Sequence, residues 1–206
     1  MVAGWSRSPL SKESEAGSPA DAIAIRRAIV ADAGYVARLI EPAFVRFIAP
    51  TLSTVGRVAF RLYVTEKALR ARLGGGAVAW CAVDAGSDAL AGYAELGGRD
   101  GTPGGIDHLT LLFTAVDRQG QGIARRLLAT ATTHLGTAEP PVRQLTVNAS
   151  AFALPIYERL GFVRSAVDTE EGGIVATPML YDLGPRRRLA ARAGAARAGA
   201  SRRPTD

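Results

Sequence analysis

The residues with the most chemical content lie in one stretch, Leu111–Leu128, LLFTAVDRQGQGIARRLL. An apolar run that reads as a strand passes into a loop with two glycines, Gly120 and Gly122, and the loop opens a helix. Glycines at such a place let the backbone approach a ligand closely. The first turn of a helix carries N–H groups without intrahelical partners and the positive end of the macrodipole. Together these hold an anion such as a pyrophosphate. Arg125 and Arg126 fall in that first turn and would add charge-assisted contacts. The stretch contains neither Gly-Lys-Ser/Thr nor Gly-x-Gly-x-x-Gly, so the two best-known phosphate loops are excluded. The plainer alternative is an ordinary strand-to-helix turn that uses two glycines.

Other reactive groups are few. The chain has two histidines, His108 and His134, and one cysteine, Cys81. An imidazole that titrates near neutrality is suited to general base work. In the run Ile106–Thr114, alternation puts His108 on one face with Thr110 and Leu112. A structural histidine bonded within the sheet is the alternative. His134 sits near the end of a helical run, where a cation favours the dipole. Cys81, inside WCAV, reads as a small core residue. One cysteine excludes an intrachain disulfide and a multi-thiolate zinc site, and two histidines argue against a His-rich site, so no metal is expected.

These groups must be positioned by an alternating set of elements. Ala22–Arg26 reads as a first strand, and Asp32 as the cap of a helix to about Phe44. A second helix spans about Thr51–Leu73, with Val55, Val58, Ala59, Leu62, Leu69 and Leu73 on one face, and ends at Gly74-Gly75-Gly76. Strands follow at Ala77–Val83, Leu90–Leu96 and Ile106–Thr114, then a helix over Gly122–Leu135 and a strand over Gln144–Asn148. A short helix, Ala153–Leu160, stops at Gly161, and Phe162–Asp168 with Ile174–Leu183 reads as a closing hairpin. The order is βααβββαβαββ, an α/β (α+β) mixture.

The chain has 206 residues, 48% of them hydrophobic, enough for one domain with a sizeable core and tails. Residues 1–20, rich in Ser, Gly, Pro and Ala, read as a disordered tail without a secretory signal. Residues 184–206 form a second, Ala/Gly/Arg-rich tail with seven arginines and one acid. That tail holds the whole net charge of +6, so the domain, 21–183, has no basic excess of the kind nucleic-acid recognition needs. Weak nucleic-acid or anionic-lipid contact through the tail is the remaining electrostatic reading. No apolar run reaches membrane-spanning length. With no export signal and no disulfide, the cytoplasm is the expected compartment.

Gln119-Gly120-Gln121-Gly122-Ile123-Ala124 resembles the Gln/Arg-x-x-Gly-x-Gly/Ala signature of the GNAT superfamily of acyl-CoA-dependent N-acyltransferases. LTVNAS (Leu145–Ser150) and PIYERLGF (Pro155–Phe162) resemble the second cofactor element of that family, and IVATPMLYDL (Ile174–Leu183) its closing strand. The turn Thr114-Ala115-Val116-Asp117 departs from the common Val-Asp-Pro type without changing the loop length. The resemblance implies a mixed, mostly antiparallel sheet of six to seven strands with about four helices. It implies acetyl-CoA as co-substrate, an unidentified amine acceptor, direct attack in a ternary complex, and often a homodimer.

Residue by residue, the resemblance implies that Leu112, Phe113 and Thr114 hold the acyl carbonyl and pantetheine arm through their amides. Gln119, Gly120, Gln121, Gly122, Ile123, Ala124 and Arg125 would cradle the pyrophosphate. Asn148 matches a pantetheine contact, with Ser150 a weaker neighbour. Tyr157 matches the tyrosine near the CoA sulfur and is the candidate acid. His108 falls where some members carry a base glutamate, with Asp107 and Glu95 in reserve. The segments about 42–73 and 165–177 would shape the acceptor site, where Pro42, Phe44, Phe47, Pro50 and Leu52 form an apolar wall or a helix-pair core. A non-catalytic acyl-CoA-binding module remains the other reading, and a longer acyl donor is open.

Overall fold

The computed structural model describes residues 23–97 and 105–184. The expected tails lie outside the described residues apart from Gly184, as do Ala22 and Gly104. The strands are β1 (Ile23–Arg27), β2 (Val78–Asp84), β3 (Leu90–Gly97), β4 (Ile106–Thr114), β5 (Gln144–Ala149), β6 (Val163–Arg164), β7 (Thr169–Glu171) and β8 (Ile174–Asp182). The helices are α1 (Ala33–Ala43), α2 (Thr54–Tyr63), α3 (Glu66–Gly74), α4 (Ile123–Gly136) and α5 (Leu154–Leu160). The sheet order is β1-β2-β3-β4-β5-β8-β6, with β7 also on β8. Every pairing is antiparallel except β4 with β5. This is the mixed, mostly antiparallel α/β sheet that the sequence implies.

Counts exceed the expectation for two local reasons. The helix read as Thr51–Leu73 breaks at Val64-Thr65, because the Thr65 side chain accepts from the Ala68 amide and caps α3. Ser53 caps α2 in the same way at Gly56. The closing hairpin carries a third strand, β7. The break also rotates α2: Val55, Val58 and Leu62 face solvent while Gly56 and Val64 are buried, so the α2 part of the expected apolar stripe is not packed, whereas Leu69 and Leu73 in α3 are. Asp32 does not cap α1 with its side chain; it accepts from the Ile29 amide and pairs with Arg26 at 2.8 Å.

Each sheet face carries its own core. α4 and the Tyr157–Phe162 segment pack on one face with Trp80, Leu96, Leu109 and Leu145. α1 and α3 pack on the other with Cys81, Tyr93 and Leu111. Cys81 is fully buried, its thiol pushed up to about 12 by burial, which fits a core residue.

Pro42 has no amide to donate inside α1, and the chain continues from there in a π turn, Phe44–Ile48, rather than in α-helix. That turn buries Phe44 and brings Phe47 and Ile48 to the central cleft.

Candidate active site

The site begins with a break in strand pairing. β4 and β5 share three rungs only: Ile106↔Gln144, Asp107↔Leu145 and His108↔Thr146. Just beyond, Thr110 is the extra residue of a bulge, since Glu95 pairs Leu111 and Leu96 pairs Leu109. A bulge bends the strand that carries it. Past it β4 and β5 part, and a cleft of about 610 Å³ opens between Thr110–Thr114 and Val147-Asn148. Along this length one edge of β4 has no strand partner, so its backbone groups face the opening. Gly97 makes room for the bulge: a Cβ there would lie 2.4 Å from the Thr110 hydroxyl.

At the upper end of the cleft, Gly120 (φ 79°) and Gly122 (φ 78°) hold left-handed backbone, which favours glycine. A Cβ at either would meet nothing within 4 Å, so both face open space. Gly122 is the N-cap of α4 and supplies no side-chain cap, which leaves the first-turn amides without intrahelical acceptors. Arg125 lines the cleft beside them. Arg126 does not join it; its guanidinium donates to the Ile23 carbonyl on β1 at 2.6 Å. Gln121 does not line the cleft either, and its side-chain oxygen is buried. Two further arginines do, Arg118 and Arg159. Arg118 is held by Asp84 at 2.9 Å, a contact between residues far apart in sequence that the loop motif does not reveal.

The lower and far walls are apolar. Phe47 stacks on Phe152 with ring centroids 4.4 Å apart, joining the two sides of the cleft. Phe60 leans on Phe113 at 6.2 Å. Of the apolar residues expected between 42 and 52, Phe47 reaches the cleft, while Phe44 and Leu52 belong to the core.

Tyr157 lines the cleft from α5 and is 7% exposed. Its ring meets Phe162 edge-on at 5.2 Å. Burial raises its phenol above the ordinary range, so it stays protonated at neutral pH. Asn148 also lines the cleft, whereas the Ser150 hydroxyl accepts from the Ala153 amide in the turn ahead of α5.

The bulge corrects the expected face of His108. Leu112 packs toward α4, and Leu111 and Phe113 pack toward α1 and α3. His108 pairs with Gly97, two positions from the Glu95 that faces Leu111, so it shares the face of Leu111 rather than Leu112. Its Nδ1 lies 2.9 Å from the Thr146 hydroxyl. Burial lowers its pKa, opposed by the charge of Asp107.

The reserve bases are both buried; Glu95 has both carboxylate oxygens bonded, whereas Asp107 Oδ2 has no partner among the described residues. Glu95 is 1% exposed and bonded to Arg72 at 2.6 Å and to the Tyr93 hydroxyl at 2.6 Å, away from the cleft lining. Asp107 is 1% exposed, accepts from the His108 amide at 2.7 Å, and pairs with Leu145 of the α4-side core.

A polyanionic head and a slender arm fit this shape: open left-handed glycines, an uncapped helix start and three arginines, then an unpaired strand edge. A family model described as the acetyltransferase (GNAT) domain matches residues 48–183. The chain belongs to the GNAT acetyltransferase family. Solved GNAT structures share its fold. The GCN5-related N-acetyltransferase of Rhodopseudomonas palustris is 23% identical, with TM-score 0.63, covering 77% of this chain and 94% of that one. The PaiA N-acetyltransferase of Thermoplasma acidophilum, solved with coenzyme A, is 15% identical, with TM-score 0.62, covering 78% and 98%. YncA of Salmonella typhimurium, described as an acetyltransferase with its cofactor acetyl-CoA, is 20% identical, with TM-score 0.55, covering 81% and 96%. No curated protein matches the chain. Among the described residues no helix is long and apolar enough to cross a membrane, and no group of three metal-ligating side chains occurs.

Proposed function

We propose that this GNAT protein is an N-acetyltransferase that moves an acetyl group from acetyl-CoA to a primary amine, on a small molecule or a protein, by direct attack in a ternary complex. One observation carries the reading: a single cleft joins the open glycine loop, the unpaired β4 edge and a buried, protonated Tyr157. When bound, acetyl-CoA supplies an acyl group activated as a thioester.

The chain's own residues do the rest. Amides from Gln119 to Arg125 bind the pyrophosphate. The β4 edge at Leu112–Thr114 orients the arm and meets negative charge as it builds on the acyl oxygen. The apolar wall at Phe47 and Phe60 excludes water and places the amine. An alkyl amine has a reference pKa of about 10.4 and must lose a proton before it attacks. His108, neutral at physiological pH, takes that proton through water, since it does not itself line the cleft. Tyr157 offers its hydroxyl proton to the departing sulfur.

The test is calorimetric titration with acetyl-CoA, followed by an amine screen that reads release of the CoA thiol. Micromolar binding and amine-dependent thiol release are expected. Binding without release from any amine favours a non-catalytic acyl-CoA module, and no binding overturns the reading.

A further inference from the structure

We infer that Thr146 is a positioning residue that fixes the tautomer of His108, leaving Nε2 as the atom that accepts the proton. The inference rests on the reading of the chain as an N-acetyltransferase with His108 as its base, and it adds a residue that no motif marks.

Its first support is place. His108↔Thr146 is the last rung that β4 and β5 share before they part. Two residues further along the same strands stand Thr110 and Asn148, which line the cleft. At about 3.3 Å of rise per residue, the rung lies roughly 7 Å below them, at the apex of the opening. Neither His108 nor Thr146 is among the residues that line the cleft, so a proton passes from the cleft to the ring through water.

Its second support is hydrogen counting. The Thr146 hydroxyl lies 3.1 Å from the Asp107 carbonyl oxygen, which only accepts, so the hydroxyl donates there. That uses its single hydrogen. The same oxygen lies 2.9 Å from His108 Nδ1, so in that bond the oxygen accepts and Nδ1 carries the hydrogen. In a neutral ring Nε2 then holds the lone pair. The chain Nδ1–H to Oγ1, Oγ1–H to the Asp107 carbonyl is closed by backbone, so it does not depend on a mobile partner.

The surrounding charges leave the ring neutral. Asp107 is the one charged neighbour on the strand, and its Oδ1 is taken by the His108 amide. Gly97 on β3 and Thr146 on β5 bring no charge to the rung. Tyr63 of α2, bonded to Thr110, is held protonated by burial. Burial outweighs Asp107 and lowers the imidazole pKa, so the base form persists to lower pH than in a free histidine.

The test pairs imidazole nitrogen NMR with kinetics on the full chain. With only two histidines, the His108 signal is assigned by its loss in His108→Ala. Wild type and Thr146→Ser are expected to show the Nδ1–H tautomer, and Thr146→Val a mixture. Thr146→Val should lower kcat/KM for the amine about tenfold and displace the acid limb, with acetyl-CoA affinity unchanged. That is less than the roughly hundredfold loss expected when a general base is removed outright. Thr146→Ser should restore the limb. An Nε2–H wild type, or a Thr146→Val that keeps both tautomer and acid limb, overturns the inference alone. An acid limb that survives His108→Ala overturns the base assignment and the inference with it.

Discussion

The two ends of the cleft are built from different materials. The end proposed for the donor is mainly backbone, two left-handed glycines, an uncapped helix start and an unpaired strand edge within Leu111–Arg125, with Arg118, Arg125 and Arg159 beside it. The end proposed for the acceptor is side chains gathered from far apart: Phe47 from the π turn, Phe60 from α2 and Phe152 ahead of α5. Its frame closes through Ser53, whose hydroxyl donates to the Gly173 carbonyl at 3.0 Å across 120 positions. Backbone chemistry at one end suits a ligand that does not vary. Side-chain chemistry at the other suits an acceptor that does. The comparison predicts that variants will separate, some reaching the donor alone and others the acceptor alone.

The largest separation is expected from Gly122→Glu. It puts a negative side chain where the pyrophosphate would lie and forces a non-glycine residue to φ 78°. Acetyl-CoA affinity should fall on the order of thousandfold, about 4 kcal/mol, in a calorimetric titration. A variant that binds within about threefold of wild type would remove the loop from the donor site.

How much of each end was legible follows from the same difference. The loop, Gly122 as the helix start, β4 at Ile106–Thr114 and the stop at Gly161 are local demands on a few adjacent residues, so they show in sequence. The Thr110 bulge does not. It depends on pairing with β3, and one extra residue there turned Leu112 to the opposite face from His108. Glu95 reads as a reserve base until α3 brings Arg72 against it from 23 positions away. Arg126 reads as a phosphate ligand until β1 supplies a carbonyl. Thr65 was a readable cap, hidden by the apolar spacing that runs through it.

Arg72→Ala tests the acceptor-side frame. Among the described residues it leaves the Glu95 carboxylate, 1% exposed, with only the Tyr93 hydroxyl, and it frees the Tyr63 carbonyl that Arg72 also bonds at 2.8 Å. Removing one partner of a buried ion pair costs about 3 kcal/mol. Thermal unfolding should fall by about 10 °C, with acetyl-CoA affinity of the folded protein unchanged. A melting point within two degrees, by the same scan, would make the pair dispensable.

Gly56→Val is a smaller and more local break. A Cβ at Gly56 would lie 2.2 Å from the Gly173 carbonyl oxygen, so α2 must move off the β7–β8 turn. Overpacking of this kind costs about 2 kcal/mol. Because α2 carries Phe60, KM for the amine should rise while acetyl-CoA binding holds. Equal losses for both ligands would mean that the two ends are coupled rather than separate.

Tyr157→Phe has the smallest expected effect and sits where the two ends meet. The ring packs edge-on against Phe162, and phenylalanine keeps that contact. The hydroxyl makes no hydrogen bond among the described residues, so removing it should change stability by no more than about 0.5 kcal/mol. Acetyl-CoA affinity should hold as well, because the loop amides and arginines do not touch this oxygen. What is lost is a protonated donor in the cleft, and kcat should fall about tenfold, some 1.4 kcal/mol of barrier. Burial makes this donor dependable by keeping the proton on, and it also makes the phenol a weaker acid, so the loss stays modest. A kcat unchanged by the substitution would mean that the sulfur leaves without help from Tyr157, and that the ring alone explains why a tyrosine stands at the junction.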